Sequence, residues 1–227
     1  MSLTRFEVDQ RNAARLTLSR PEVRNAFNEA LISEITEAVR TLPPQARVLV
    51  LQGEGPVFSA GADLEWMRGM AGYSREENRA DSSSLEQMFA ALDSARVPVI
   101  GRIHGAAIAG AIGLVACCDY AVAAAGTKFA FTEVKLGLVP AVISPYVVRK
   151  VGYSFARAMF LTAETFDADR AMQAGLVHRV VPEEGLDGAV NEVVSAILEA
   201  GPSAAGRARE MVEKVWNRHP SEVADYT

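Results

Sequence analysis

Hydrophobic and polar positions follow two different periods along the chain, which indicates strands separated by helices. Residues 48–51 form a continuous apolar run, typical of a strand that is buried on both faces. Apolar residues recur at helical spacing through residues 31–42, and Asn28 stands before them at the position of an N-cap. Further strands are predicted at residues 15–18, 97–100, 119–123, 128–131 and 177–181. The pattern therefore predicts an α/β fold with a sheet covered by helices.

Two segments in the middle of the chain differ from this pattern. Residues 105–118 carry no charge and are rich in glycine and alanine, but the segment is too short for a membrane span, so we predict a buried helix. Residues 69–79 are polar and contain two glycines, which favours a mobile, solvated connection. The pattern predicts further helices from residue 142 onward, at 167–174, at 186–200, and at 203–216 with Ser203 as the cap.

The composition limits the classes of partner. The 227 residues are 49% hydrophobic and carry 23 lysines and arginines against 28 aspartates and glutamates, a net charge of −5. With no basic run, we expect neither a nucleic-acid nor a membrane partner. The first seven residues do not form a signal peptide, so we predict a cytoplasmic protein. The only cysteines, Cys117 and Cys118, are neighbours among apolar residues and are predicted to be buried free thiols.

Several common catalytic motifs are absent from the sequence. It contains no His-Glu-x-x-His or Cys-x-x-Cys metal motif, no P-loop, no Gly-x-Ser-x-Gly and no Gly-x-Gly-x-x-Gly fingerprint. We therefore expect no metal and no separate cofactor.

Two turns of small residues remain as candidates for chemistry. They comprise residues 60–62 and 109–111, and each precedes a segment with helical character. Free backbone N–H groups at such turns can converge on a negatively charged oxygen. Small residues also permit close helix packing, so the residues alone leave both interpretations open.

Four ordered segments carry a resemblance to a known family. They are residues 20–27 (RPEVRNAF), 58–64 (FSAGADL), 104–119 (HGAAIAGAIGLVACCD) and 131–140 (FTEVKLGLVP). In this order they resemble the enoyl-CoA hydratase/isomerase family, also called the crotonase family. The resemblance implies a spiral of ββα turns, an acyl-CoA substrate whose CoA is not a separate cofactor, and a homotrimer or a hexamer.

The resemblance also assigns roles to individual residues. The backbone amides of Ala62 and Gly110 match the two oxyanion donors, and Glu133 matches one of two glutamates that act as acid and base. Arg24 resembles the residue that approaches the CoA phosphates, and the main chain of Ala60 would lie near the adenine. The remaining positions expected to contact the substrate or CoA are Ala26, Asp63, Leu64, Gly113 and His104.

The sequence departs from the family pattern at Gly113, where the second glutamate is expected. Residues 110–119 and 132–145 resemble the bacterial methylglutaconyl-CoA hydratases of leucine and isovalerate metabolism, whose substrates carry a second carboxylate. The first hypothesis is therefore hydration or dehydration in which this carboxylate, or a water that it holds, assists Glu133 in space freed by Gly113.

Gly113 is compatible with two more hypotheses, which stay open. An enoyl-CoA isomerase needs only one base to move one proton, which Glu133 alone could supply. A non-catalytic acyl-CoA-binding subunit would need no second glutamate at all. In each case we predict a spiral core over residues 1–182 and a helical region over residues 183–227, which is shorter than is usual in the family.

Overall fold

The computed structural model describes residues 2–70, 72–219 and 222–223; the side chains of residues 64, 70, 75 and 77–81 are outside this description. The described strands are β1 (Thr4–Val8), β2 (Ala13–Leu18), β3 (Val48–Gly53), β4 (Val99–Ile103), β5 (Ala106–Ile108), β6 (Tyr120–Ala124), β7 (Lys128–Ala130), β8 (Phe166–Asp167) and β9 (Arg179–Val181). The described α-helices are α1 (Glu29–Arg40), α2 (Leu64–Met70), α3 (Arg75–Asp93), α4 (Gly110–Ala116), α5 (Ser144–Thr162), α6 (Ala168–Gln173), α7 (Leu186–Glu199) and α8 (Ala204–Val215).

The chain winds as a spiral through two sheets. The larger sheet has the order β1-β2-β3-β4-β6-β9 and is parallel except for the β1–β2 pair; the smaller has the order β5-β7-β8. After β4 the chain forms β5 and then α4, and after β6 it forms β7 and later α5. After β2 and β3, single-residue bridges at Phe27 and Ser59 take the place of the second strand. This confirms the predicted ββα turns.

Strand β3 explains why the large sheet needs helices on both faces. Leu49 and Leu51 belong to the main core with α1, α3, α4 and α5, whereas Val48 and Val50 pack with residues of α7. All four side chains are fully buried, as the continuous apolar run predicts. The side chain of Asn28 accepts a hydrogen bond of 2.9 Å from the Leu31 amide, which confirms the predicted cap of α1.

The glycine- and alanine-rich segment is not one helix. Residues 106–108 form β5, which pairs in parallel with β7, and α4 covers only residues 110–116. The prediction of a single helix over 105–118 was wrong because alanine fits a helix and a buried strand equally well. Residues 106–108 form a strand because they pair with β7, which is distant in sequence.

Two further local predictions need correction. Most of the segment predicted as a connection at 69–79 is helical, since α2 ends at Met70 and α3 begins at Arg75; Ala71 lies outside the described residues. Ser203 does precede α8, but its side chain accepts no capping hydrogen bond because its backbone is already helical, with φ −95° and ψ −16°. Cys117 and Cys118 are buried free thiols, as predicted, and burial raises the pKa of Cys118 to about 12.

The predicted boundary at residue 182 falls between β9 and the helical residues that follow. Helix α7 buries Leu186, Ala189, Val190 and Val194 against the outer face of the large sheet. Helix α8 buries no residue and is held by polar contacts instead. Whether these helices form a separate domain stays a prediction.

Candidate active site

A cavity of about 510 Å³ lies beside the start of α4. Its size is that of a typical small-molecule pocket. Both small-residue turns contribute to its lining through Ala60, Ala62, Ala109 and Gly110, and Glu133 lines the same space. The structure therefore brings together the residues to which the sequence assigned the chemistry.

Successive turns of the spiral place the two small-residue turns side by side. Ser59 pairs in parallel with Ala107 of β5. Gly61 has a φ of +86°, and a Cβ atom there would lie 2.6 Å from the Ile108 carbonyl oxygen. Only glycine permits this approach without strain, so Gly61 is required where the two turns meet.

The two amides assigned as oxyanion donors have no hydrogen-bond acceptor in the part of the chain that the structure describes. Among the described residues, the N–H groups of Ala62 and Gly110 donate no backbone hydrogen bond, whereas their neighbours Asp63 and Ala109 donate to Phe27 and Ala130. Ala109 has the unusual dihedrals φ +50° and ψ −121° just before α4. Strain of this kind at a non-glycine residue costs about 1–3 kcal/mol and tends to occur at functional sites.

A partly buried ion pair holds the first of these turns. The Arg20 guanidinium lies 3.2 Å from the Asp63 carboxylate and also donates a hydrogen bond of 2.6 Å to the Ala26 carbonyl oxygen. Asp63 lines the cavity, but its carboxylate pairs with Arg20 and accepts a hydrogen bond from the Glu65 amide. The contacts of Asp63 therefore hold the turn at residues 60–62, which includes Ala62, in position. Arg20 was not predicted as a site residue, although it opens the RPEVRNAF segment.

Glu133 begins a short 3₁₀ helix over Glu133–Leu136. Its Oε2 atom is buried and has no hydrogen-bond partner among the described residues. Burial raises the pKa of this carboxyl above 4.5, opposed in part by a hydrogen bond from its own backbone. A carboxyl with a raised pKa and a free oxygen in a cavity is well suited to exchange protons with a bound molecule.

The exposed part of the cavity lining carries a free cation. Arg24 lines the cavity, is exposed, and makes no side-chain hydrogen bond or ion pair among the described residues. Ala26 and Ala60 line the cavity as well, and the Ala60 amide donates a hydrogen bond of 2.9 Å to the Arg24 carbonyl oxygen. These three residues stand where an anionic group could bind. The Leu64 side chain lies outside the described residues.

Gly113 does not line the cavity, which corrects the prediction that it contacts substrate. A Cβ atom at this position would lie 2.5 Å from Ile143 Cγ2 and 2.7 Å from Phe89 Cε1. The expectation that the glycine frees space for a substrate carboxylate was therefore wrong, because two apolar side chains fill that space. Both are far from Gly113 in sequence, so no local pattern could reveal them.

His104 also lies away from the cavity, contrary to the prediction. Its ring is buried, with Nε2 2.8 Å from the Gly55 carbonyl and Nδ1 3.2 Å from Arg102. Burial, with Arg102 nearby, lowers the pKa of His104 despite the opposing contact with Gly55. These contacts make it a neutral structural residue.

Sequence reasoning missed most of the apolar lining. The lining residues to which the sequence analysis assigned no role include Phe27, Trp66, Met67, Leu85, Leu138, Val142 and Ile143. They come from separate segments of the chain, and helical periodicity alone would place such residues in the core.

Comparison with known proteins is decisive for the family. The model of the family "Enoyl-CoA hydratase/isomerase" matches residues 9–225. The chain belongs to the enoyl-CoA hydratase/isomerase family. An enoyl-CoA hydratase of Alternaria alternata is 34% identical over 216 residues, covering 93% of this chain and 70% of the relative.

Solved structures of the family confirm the crotonase fold. A crotonase-family structure from Legionella pneumophila is 38% identical with a TM-score of 0.93, covering 100% of this chain and 88% of that chain. A Thermobifida fusca structure in complex with CoA is 31% identical with a TM-score of 0.91, and the match covers 99% of this chain and 89% of that chain. The crotonase fold of the family is therefore the fold of this chain.

The described residues show neither a metal cluster nor a membrane span. Within them, no three histidine, cysteine, aspartate or glutamate side chains are grouped so as to hold a metal ion. No described helix has the length and apolar character needed to cross a membrane.

Proposed function

We propose that this member of the enoyl-CoA hydratase/isomerase family adds water to, or removes it from, the 2,3 double bond of an enoyl-CoA. One observation carries the proposal: Glu133, with its unpartnered Oε2, lines the same cavity as the two unpaired amides of Ala62 and Gly110. The family relative from Alternaria, named an enoyl-CoA hydratase, supports the same reaction.

The proposed mechanism assigns one task to each group. The Ala62 and Gly110 amides bind the thioester oxygen as it gains charge, and each such donor is worth roughly 3 kcal/mol in the transition state. The Glu133 carboxylate takes a proton from water while the water oxygen bonds to C3. The resulting enolate is then protonated at C2 by the Glu133 carboxylic acid, so one carboxyl both accepts and returns the proton.

The exposed Arg24 supports binding of the CoA part of the substrate. Its guanidinium is free among the described residues and lines the cavity beside Ala26 and Ala60. A guanidinium can bind a phosphate with two parallel hydrogen bonds.

The experiment that tests the proposal replaces the carboxyl with its uncharged isostere. Glu133→Gln is expected to lower kcat for hydration of a 2-enoyl-CoA by about 10²–10⁴-fold, the usual value of a positioned acid–base group. The substrate's dissociation constant should stay nearly unchanged, since the amides and Arg24 are intact. Loss of conjugated thioester absorbance measures the rate, and calorimetry with a saturated acyl-CoA, which cannot be hydrated, measures binding.

A matched variant makes the result specific. Glu65 also lines the cavity, but it is exposed at the start of α2. Glu65→Gln is expected to change kcat only a few-fold. Equal losses in the two variants would contradict the assignment of Glu133 as the single base, and full activity of Glu133→Gln would overturn the proposed mechanism.

Isomerisation is the second candidate, favoured by the apolar filling around Gly113. A double-bond shift needs one base and no water, which is what Glu133 alone supplies. Incubation with a 3-enoyl-CoA and, separately, a 2-enoyl-CoA distinguishes the reactions. Gain of conjugated absorbance with the first and no loss with the second would make the enzyme an isomerase.

The finer predictions of substrate and assembly are tested separately. The inner cavity lining gives little support to 3-methylglutaconyl-CoA, because Arg24 is the only cationic side chain among the described lining residues, and it is exposed. Thioesters with and without a terminal carboxylate would decide whether the enzyme serves leucine and isovalerate metabolism. The homotrimer or hexamer and the cytoplasmic location stay predictions, the former open to sedimentation analysis.

A further inference from the structure

The segment from Leu136 to Ile143 changes from exposed to buried along the cavity. Leu136, Leu138 and Val139 are 55%, 47% and 73% exposed, whereas Ile143 is 3% exposed. All four residues line the cavity. The cavity therefore has an open part near Val139 and an enclosed part near Ile143.

The position of Ile143 relative to α4 is fixed by a close contact. Its Cγ2 atom lies 2.5 Å from where a Cβ of Gly113 would be. Gly113 is one helical turn beyond Gly110, about 4.5 Å further along the axis of α4. Since Gly110 supplies an amide for the thioester oxygen, Ile143 lies beside the inner part of the cavity, beyond the reacting carbonyl.

Ile143 has a rigid support behind it. The Phe89 ring is fully buried, reaches the same point near Gly113, and packs against the Tyr146 ring at a centroid distance of 5.8 Å. Ile143, Phe89 and the backbone of Gly113 therefore meet at one closely packed point, which restricts movement of Ile143 there. Gly113 is needed here because a larger residue would push Ile143 or Phe89 out of position.

We propose that Ile143, supported by Phe89 and accommodated by Gly113, is the residue that limits the length of the acyl chain. This inference rests on the proposed function, because it takes Gly110 to mark the thioester carbonyl. It assigns the enzyme short, apolar acyl groups. The space in which the family pattern places a second carboxylate is thus used here to select the substrate.

The test compares chain-length profiles of two variants. Ile143→Ala is expected to raise the ratio of kcat/KM for an eight-carbon over a four-carbon 2-enoyl-CoA by about tenfold or more, the range in which a hydrophobic pocket distinguishes methylene groups. Val147→Ala is the matched control. Val147 is fully buried in α5, one turn after Ile143, but does not line the cavity, so its variant should keep the wild-type ratio.

Binding measurements separate this inference from the proposed function. Saturated four-carbon and eight-carbon acyl-CoA thioesters cannot be hydrated, and calorimetry gives their dissociation constants for each variant. If wild type hydrates no enoyl-CoA but Ile143→Ala still shifts the binding preference to the longer thioester, the proposed function fails and this inference stands.

Three outcomes would overturn the inference. The first is equal loss at both chain lengths in Ile143→Ala while the protein stays folded by circular dichroism. The second is the same shift in Val147→Ala, which would make it a general loosening of the core. The third is an unchanged binding preference in Ile143→Ala for the two saturated thioesters.

Discussion

At the scale of single residues, the proposed chemistry depends on one carboxyl in an apolar environment. Glu133 has a buried Oε2 without a partner among the described residues, and burial raises the pKa of the group above 4.5. A salt-bridged carboxylate would have the opposite shift and would be a weak base. The environment of Glu133 therefore favours a proton acceptor that can also return the proton.

This raised pKa predicts the pH dependence of the reaction. Since the base must be ionised, kcat/KM for a 2-enoyl-CoA should fall as the pH drops through the raised pKa. The acidic limb should therefore lie above the ordinary value of 4.5. Initial rates in constant-ionic-strength buffers measure the limb, and a midpoint at or below the ordinary value would contradict the prediction.

Ionisation of the Glu133 carboxyl should lower the free energy of unfolding. Because folding raises the pKa of Glu133, the fold loses stability as the pH rises from the unfolded-state pKa, about 4.3, to the raised folded-state pKa, and the loss is complete above it. Glu133→Gln should therefore have a higher Tm than wild type at neutral pH, and the difference should close towards about pH 3, where the glutamate is protonated in both states. A higher Tm for wild type at neutral pH would contradict this sign.

At the scale of elements, the spiral itself assembles the site. Each turn places a short strand or a bridge beside that of the previous turn, so the amides of Ala62 and Gly110 come from neighbouring layers. The ends of these short segments leave N–H groups unpaired at the starts of α2 and α4. Close approach of adjacent turns is therefore the condition for two donors to share one oxygen.

Gly61→Ala tests this condition. The added Cβ would lie 2.6 Å from the Ile108 carbonyl oxygen at a backbone φ of +86°, so the two turns must separate. A displaced donor should lower kcat by about 10²-fold. Assay with a 2-enoyl-CoA measures the loss, and urea unfolding measures the accompanying strain.

Gly175→Ala is the matched control for backbone strain. Gly175 has a similar φ of +79°, and its Cβ would make an ordinary contact at 3.5 Å with the Lys150 carbonyl. This variant should lose about 1 kcal/mol of stability with kcat nearly unchanged. Equal kcat in the Gly61→Ala variant and wild type would show that the spacing of the turns is not critical.

At the scale of the whole molecule, the two C-terminal helices attach by different means. Helix α7 buries an apolar face against the large sheet, whereas α8 buries no residue. Arg209 of α8 pairs with Asp119 at 2.7 Å and donates to the carbonyls of Leu92, Asp93 and Ala95. A single guanidinium thus connects α8 to α3, to the residues after it, and to the start of β6.

Arg209→Met should loosen α8 without unfolding the spiral. Hydrogen bonds from a charged donor are worth about 1.5–3 kcal/mol, so the free energy of local opening of α8 should fall by about 2 kcal/mol. Hydrogen exchange followed by mass spectrometry should show faster exchange in residues 204–215 and unchanged exchange in β3. Arg207→Met is the control, since Arg207 is exposed on the same helix. Uniformly faster exchange would contradict local opening.

The sequence alone determined several local elements, and its resemblance to the family indicated the groups to which the proposed chemistry is assigned. The period of apolar residues predicted β3 and α1, Asn28 was correctly placed as a cap, and the ordered motifs singled out Ala62, Gly110 and Glu133, which share one cavity. The local elements arise from backbone geometry and from neighbours along the chain, so they are visible in a linear pattern, whereas the three groups were identified by the resemblance to the family.

Only the tertiary structure decided what surrounds those groups. It assigned residues 106–108 to a strand, separated His104 from the cavity, and filled the space at Gly113 with Phe89 and Ile143. Each outcome depends on side chains or strands that are distant in sequence and meet only when the spiral closes. Which atoms fill a given space follows from the packing of whole elements, and no local period records it.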